Sequence, residues 1–285
     1  MALTPAVVAR AFAAACRAEL DALKPGNVHR FAAGHAMEPA HFEAAAAASA
    51  PFIGAPSLTV GARIARAVDA ARAASGLNAN LGIVLLCAPL AQAALAPAPA
   101  PLRARLAQVL AGLDLDDARE AFGAIARANP GGLGAAPEAD VRAPATLPLG
   151  AAMALAAHRD TIARQYGTGF ADVFERGLPL LADDPLAPAR LEAAFLAFLA
   201  ALPDSHIARK FGADAAEAVR QEAAAVQSQI DGLPATDRHA CLLAFDARLK
   251  AKGLNPGTSA DLTVASAFAA LLDAAEAGAV QPPSA

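Results

Sequence analysis

The sequence predicts an all-α protein: a single compact multi-helix domain over residues 1–280, followed by a flexible tail at 281–285. Alanine is abundant throughout, while Val, Ile, Tyr and Trp are sparse or absent. Apolar residues recur mostly every three or four positions, the period of a helix face, and no stretch alternates convincingly enough to be a strand. A hydrophobic content of 56% against 18% charged residues supports a sizeable core and excludes a disordered chain.

Helices are expected, in order, at 4–23, 40–50, 59–75, 79–95, 101–112, 115–128, 148–165, 169–176, 189–202, 213–230, 236–251 and 259–277. The first begins with Thr4 as N-cap and Pro5 in its first turn. Arg10, Arg17 and Glu19 interrupt its apolar residues at helical spacing, which argues for an amphipathic helix and against a signal peptide. Thr59 caps the third helix and Gly76 stops it. The fourth contains the longest apolar run, residues 81–91, well short of the ~20 residues that span a bilayer. With Gly82 and Pro89 inside it, this run reads as a buried helix. Alternating prolines at 96–101 read as a connector between two helices. Asp114 caps the sixth helix. The break at 129–148, with NPGGLG at its start, is the longest loop, and such loops in compact helical domains are often functional. Thr236 and Thr258 stand where N-caps are wanted, and Gly253 where a helix should stop.

A net charge of −4 and pI near 5.9 offer no basic field for nucleic acid or an anionic membrane. Cys16, Cys87 and Cys241 are odd in number, far apart and set among apolar residues, so they supply neither a disulfide framework nor zinc spacing. They read as core residues of a cytoplasmic protein. One internal similarity stands out: Asp160 and Asp204 each precede an Ile-Ala-Arg-x-aromatic-Gly segment, 162–167 and 207–212, which fits a duplicated helical hairpin.

Polar residues gather in four short segments. The first is KPGNVHR at 24–30, followed by Gly34-His35. Pro25 and Gly26 turn the backbone, and Lys24, His29, Arg30 and His35 offer donors to an anion or complement a helix C-terminus. The second, GLNANLG at 76–82, places Asn78 and Asn80 at a helix start, where they cap it or present amides to a ligand. The third comprises the two Asp segments. Asp160 and Arg164, four apart, read as an ordinary surface pair; Asp204 and Arg209, five apart, fit such a pair poorly. The fourth is NPGTSAD at 255–261, where capping explains Thr258 or Ser259 but not both together with Asp261.

Taken together, KPGNVHR with GH, GLNANLG, DTIARQYG, DSHIAR and NPGTSADL resemble the triphosphoribosyl-dephospho-CoA synthase family over about residues 10–272. The resemblance implies an all-helical enzyme that takes ATP and 3′-dephospho-CoA, expels adenine and joins the triphosphoribosyl group to the acceptor ribose. The second segment departs from the family's usual GVNTHKG: Ala79, Asn80 and Leu81 stand where Thr, His and Lys would. That departure keeps a second reading open, phosphoribosyl transfer to a pterin precursor of tetrahydromethanopterin, and a third, a nucleotide-binding homologue without catalysis.

In the family reaction the anomeric centre inverts, so a carboxylate facing away from the leaving base would take the proton of the incoming hydroxyl. Asp160, Asp204 and Asp261 are the candidates, with Asp160 and Asp204 also available to hold Mg2+ beside phosphate oxygens. Lys24, Arg30, Arg164 and Arg209 would neutralise phosphates. Asn78, Asn80 and Asn255 would orient the sugar or acceptor. Gly26, Asn27, His29, His35, Gly257 and Ser259 complete the expected binding set. The partners are then a nucleotide or phosphoribosyl donor and a hydroxyl acceptor, and a homodimer is compatible with the chain. All four segments are expected to meet in one cleft, because helix ends expose backbone donors that an apolar helix middle cannot.

Overall fold

The computed structural model describes residues 2–32, 37–97 and 99–278. Among them, fourteen α-helices and one π-helical turn form and no strand does. The helices are α1 Pro5–Asp21, α2 Pro39–Ile53, α3 Val60–Ser75, α4 Leu81–Leu95, α5 Leu102–Ala111, α6 Leu115–Ala128 and α7 Leu149–Ala156. They continue with α8 Thr161–Thr168, α9 Leu178–Leu181, α10 Pro188–Ala201, α11 Ser205–Phe211, α12 Ala213–Ile230, α13 Ala235–Ala251 and α14 Gly257–Glu276.

Two helices are apolar on every side and therefore sit at the centre. In α4 nearly every residue from Leu81 to Ala94 is buried, and in α14 the buried run extends without a break from Leu262 to Leu272. They pack against each other, and α1 closes over α14, with Phe12 meeting Phe268 edge to face at 6.0 Å. This larger core takes in α1–α8; a smaller one joins α11–α13. Helix α10 serves both, turning Leu191, Ala194 and Phe198 to the first and Phe195, Leu196 and Leu199 to the second. The start of α14 lies between the two cores, so polar residues there are enclosed by both. Among the described residues no single helix is long and apolar enough to cross a membrane. All three cysteines are free, with Cys16 and Cys87 buried and Cys241 half-buried.

Expected caps hold at Thr4, Thr59 and Asp114, whose side-chain oxygens accept the N–H of Val7, Ala62 and Asp117. Gly76 ends α3 in the left-handed region, φ 71°. Elsewhere the structure corrects the reading. The helix expected at 148–165 is two helices, because Asp160 takes an extended conformation and its carboxylate restarts the helix by accepting the N–H of Ile162 and Ala163. The segment expected at 169–176 begins with left-handed Gly169 and Phe170, and continues as a π-turn, Asp172–Gly177, running into α9. Helix α11 was not expected at all; it is seven residues long and starts at Asp204 by the same capping bonds as α8. Thr236 and Thr258 lie inside the first turns of α13 and α14, where Pro234 and Pro256 hold the cap positions. The expected tail at 281–285 lies outside the described residues.

Candidate functional site

Between the two cores lies a cavity of about 1260 Å³, lined by the starts of α4, α8, α11 and α14, by Glu19 of α1, by Asn27, and by the loop that follows α6. Three of those helix starts are tied directly together. Ser205 Oγ accepts the N–H of Thr161 at 3.3 Å and bonds Thr258 Oγ1 at 2.9 Å; Thr258 Oγ1 also accepts the N–H of His206. Asp204 adds the strongest tie. Its Oδ1 accepts the N–H of His206 and Ile207, and its Oδ2 accepts the N–H and hydroxyl of Ser259 at 2.8 and 2.9 Å.

All four polar segments reach this cavity, though not through every residue expected. Asp160 and Asp261 line it; Asp204 does not, being buried behind the wall with both oxygens engaged. Burial pushes the Asp204 carboxyl up, opposed by its four donors. Asp160 spends Oδ1 on the α8 cap and Oδ2 on Arg209, at 2.8 Å. Neither is therefore placed as a ready metal ligand, and among the described residues no three His, Cys, Asp or Glu side chains gather closely enough to hold a metal ion.

Asp261 is different. Its carboxylate makes no hydrogen bond or ion pair among the described residues. It lies on the first turn of α4 where only glycine leaves room: a Cβ on Gly82 would stand 2.0 Å from Asp261 Oδ2. Burial raises the Asp261 carboxyl well above the usual range, and the negative charges of Asp204 and Glu19 add to the effect.

The first segment is a buried brace. Lys24 is fully buried, pairs with Glu19, and donates to Asn27 Oδ1 at 3.1 Å and to the carbonyl of Val28. Burial pulls its ammonium down and pushes Glu19 up, while their pairing opposes both shifts. Asn27 Nδ2 in turn donates to Asn255 Oδ1 at 2.7 Å, so both asparagines line the cavity while Lys24 stands behind them. Gly26, left-handed with its Cβ position filled by Leu249, donates its N–H to Asp246 Oδ1. His29 accepts the N–H of Phe31 at Nδ1, so its proton sits on Nε2, 3.1 Å from Asp246 Oδ1. Gly26 and His29 fasten the segment to α13 away from the cavity. Arg30 is on the surface between Asp21 and Glu43. His35 lies outside the described residues.

Of the remaining expected residues, Asn78 lines the cavity, whereas Asn80 is buried and donates to Ser49 Oγ; neither side chain caps α4. Arg164 lines it but pairs with Asp172 instead of Asp160. Gly257 lines it and lets His206 cross the start of α14. Ser259 is turned inward to Asp204. Sequence reasoning missed Glu19, Arg159, Ser205 and Lys210 as cavity residues; the long loop expected at 129–148, whose first glycine stands against Lys210, was the one signal beside them.

The fold and cavity thus define an all-helical protein in which acids, amides and cations from distant segments meet at converging helix starts. The chain belongs to the ATP:dephospho-CoA triphosphoribosyl transferase family, whose family model matches residues 5–279. It is a transferase of that family, and the match favours the nucleotide reading over the pterin and non-catalytic ones. Its fold is similar to that of a crystal structure from Archaeoglobus fulgidus, a protein whose assignment as a triphosphoribosyl-dephospho-CoA synthase is provisional. The two share 24% identity and a TM-score of 0.64, covering 81% of this chain and 98% of the other. No curated protein matches the chain significantly.

Proposed function

We propose that the cavity transfers the triphosphoribosyl group of ATP to a ribose hydroxyl of 3′-dephospho-CoA, with Asp261 as general base. The observation that carries this is the Asp261 carboxylate: it faces the cavity, has no hydrogen-bond or ion-pair partner among the described residues and holds its proton more tightly than an ordinary aspartate. When ionised, it takes the proton of the attacking hydroxyl as that oxygen bonds to C1′ of the ATP ribose and the bond to adenine breaks. Adenine leaves with the electron pair and gains a proton from solvent, which balances the exchange. A base with a raised pKa matches this step better than an exposed carboxylate, because it is stronger once deprotonated.

Asp160, tied to Arg209, is the second acid on the cavity wall and holds that guanidinium facing the substrate space. Asn27, Asn78 and Asn255 supply amides to the sugar or acceptor. Mg2+ would enter with the triphosphate, held mainly by phosphate oxygens and water, since Asp160 and Asp204 are engaged with protein donors and Asp261 serves the proton.

The test is adenine release from ATP with dephospho-CoA as acceptor. Turnover that disappears in Asp261→Asn supports the assignment. Absence of adenine release by the wild-type protein, with phosphoribosyl transfer to another acceptor instead, would overturn it. The rate should climb with pH as Asp261 ionises, with a midpoint above the usual carboxylate range.

A further inference from the structure

The cations expected to meet phosphate are engaged elsewhere: Lys24 with Glu19, Arg30 with Asp21 and Glu43, Arg164 with Asp172 and Arg209 with Asp160. Two others line the cavity, Arg159 and Lys210. Both are exposed, and neither side chain forms a hydrogen bond or ion pair among the described residues.

They share the cavity with the glycine-bearing loop at 130–134. The N–H groups of Gly131, Gly132 and Gly134 have no partner among the described residues. Positive φ alternates along the loop, 76° at Gly132 and 66° at Gly134, with Gly131 and Leu133 outside that region. Backbone that alternates in this way can turn N–H groups toward a common side as an anion-binding concavity, here those of the three glycines, since the Leu133 N–H turns back to the carbonyl of Pro130 at 3.3 Å. Lys210 stands against it, since a Cβ on Gly131 would lie 2.8 Å from Lys210 Cε and 3.6 Å from its Nζ. Gly132 seats the loop on α11, where a Cβ would meet the carbonyl oxygen of Arg209 at 2.5 Å.

We propose that this loop, Lys210 and Arg159 form a cradle for a linear oligophosphate, the chemistry shared by the donor's triphosphate and the acceptor's diphosphate. It rests on the reading that this cavity takes ATP and dephospho-CoA. Partnerless backbone donors and unneutralised cations suit a ligand of high negative charge, and a substrate with neutral groups alone would leave both unsatisfied.

Calorimetric titration with inorganic tripolyphosphate and with pyrophosphate tests the cradle without catalysis. Wild-type protein should bind at least one of them. Lys210→Ala and Arg159→Ala should each weaken binding by roughly tenfold or more, as expected for losing a charge-assisted contact. Gly131→Ala keeps every charge but displaces the Lys210 stem, and should also weaken binding. Lys252→Ala, which removes an exposed cation outside the cavity, should leave it unchanged. Both cradle cations are exposed and unpaired, so their removal should not disturb folding, which circular dichroism verifies. In Lys210→Ala, a rise in KM for ATP assigns the cradle to the donor, and a rise for dephospho-CoA assigns it to the acceptor. Absence of oligophosphate binding by the wild type, or undiminished binding when Lys210→Ala and Arg159→Ala are combined, overturns the cradle even if adenine is released normally. Binding that is lost with the cations while no adenine is ever released keeps the cradle and removes the transferase reading.

Discussion

The segments that begin at Asp160 and Asp204 share a sequence pattern and a local structure, yet only one aspartate faces the cavity. In both, Oδ1 caps a short helix by accepting two N–H groups, at 2.9 and 3.1 Å in one and 2.9 and 3.2 Å in the other. The second oxygen separates them. Asp160 gives it to Arg209, a side chain of the other segment, at the cavity wall; Asp204 gives it to Ser259, at the buried start of α14. The arginines diverge in the same way, since Arg164 stays with Asp172 nearby while Arg209 reaches across. Tyr166 is buried and donates to the carbonyl of Leu85, whereas Phe211 is 47% exposed. A capping motif thus fixes a helix start but not what that start is used for; the neighbouring helix decides.

The largest expected effect that would break this comparison is on stability. Asp204→Ala strands two buried donors of Ser259 together with two helix amides, and should destabilise by roughly 3 kcal/mol in urea titration. Asp160→Ala should lose about 1 kcal/mol, the usual worth of a cap with solvent nearby. Equal losses would show that the second oxygens are equivalent after all.

Asp261 sharpens the contrast between satisfied and unsatisfied acids. A carboxyl whose folded pKa is raised favours the folded state while protonated, and that contribution disappears as pH rises through the raised pKa. Stability should therefore fall as pH rises from the usual carboxylate range through the raised pKa of Asp261, and Asp261→Asn should flatten the slope. At the upper end the variant should be more stable by ~1 kcal/mol, because a buried, unpaired charge is gone, while adenine release is lost. Thermal melts across pH measure the first, and the activity assay the second. A variant less stable than wild type at every pH would mean that Asp261 has a protein partner.

The smallest effect concerns the arginines. Arg164→Ala should change stability by less than about 1 kcal/mol and leave adenine release near wild type, since its pair with Asp172 is partly exposed. Arg209→Ala should lower activity by more than it lowers stability. The reverse order would place the substrate on the Arg164 side of the cavity.

Much of the helical order was legible because caps and stops are local: Thr59 with Gly76, or Asp114, act on residues within a turn. The break between α7 and α8 was not. Asp160 sits in an apolar-periodic stretch where a carboxylate four residues before an arginine reads as a surface pair, and nothing local reveals that the arginine it binds lies in α11. The convergence of polar segments could be read from their restriction to turns and helix starts. The division of labour within each segment could not, because it depends on long-range partners: Asp246 for His29, Ser49 for Asn80, Glu43 for Arg30. Lys210 and Arg159 carry no sequence signal, being ordinary surface cations until the fold brings both to the wall of the cavity that the loop at 130–134 also lines.

Lys24 reaches the ligand space only by proxy. An ammonium is a donor and nothing else, so it forces Asn27 to turn its oxygen inward and its NH2 outward, and Asn255 must answer with its own oxygen. Hydrogen-bond polarity is handed along two amides, and the one left at the end of the line is the NH2 of Asn255. The cavity is thereby biased toward ligand atoms that accept, such as ether, phosphate or hydroxyl oxygens. A side chain at position 24 able to accept as well as donate would release both amides to turn over, and would leave the Glu19 carboxylate on the cavity wall without its cation.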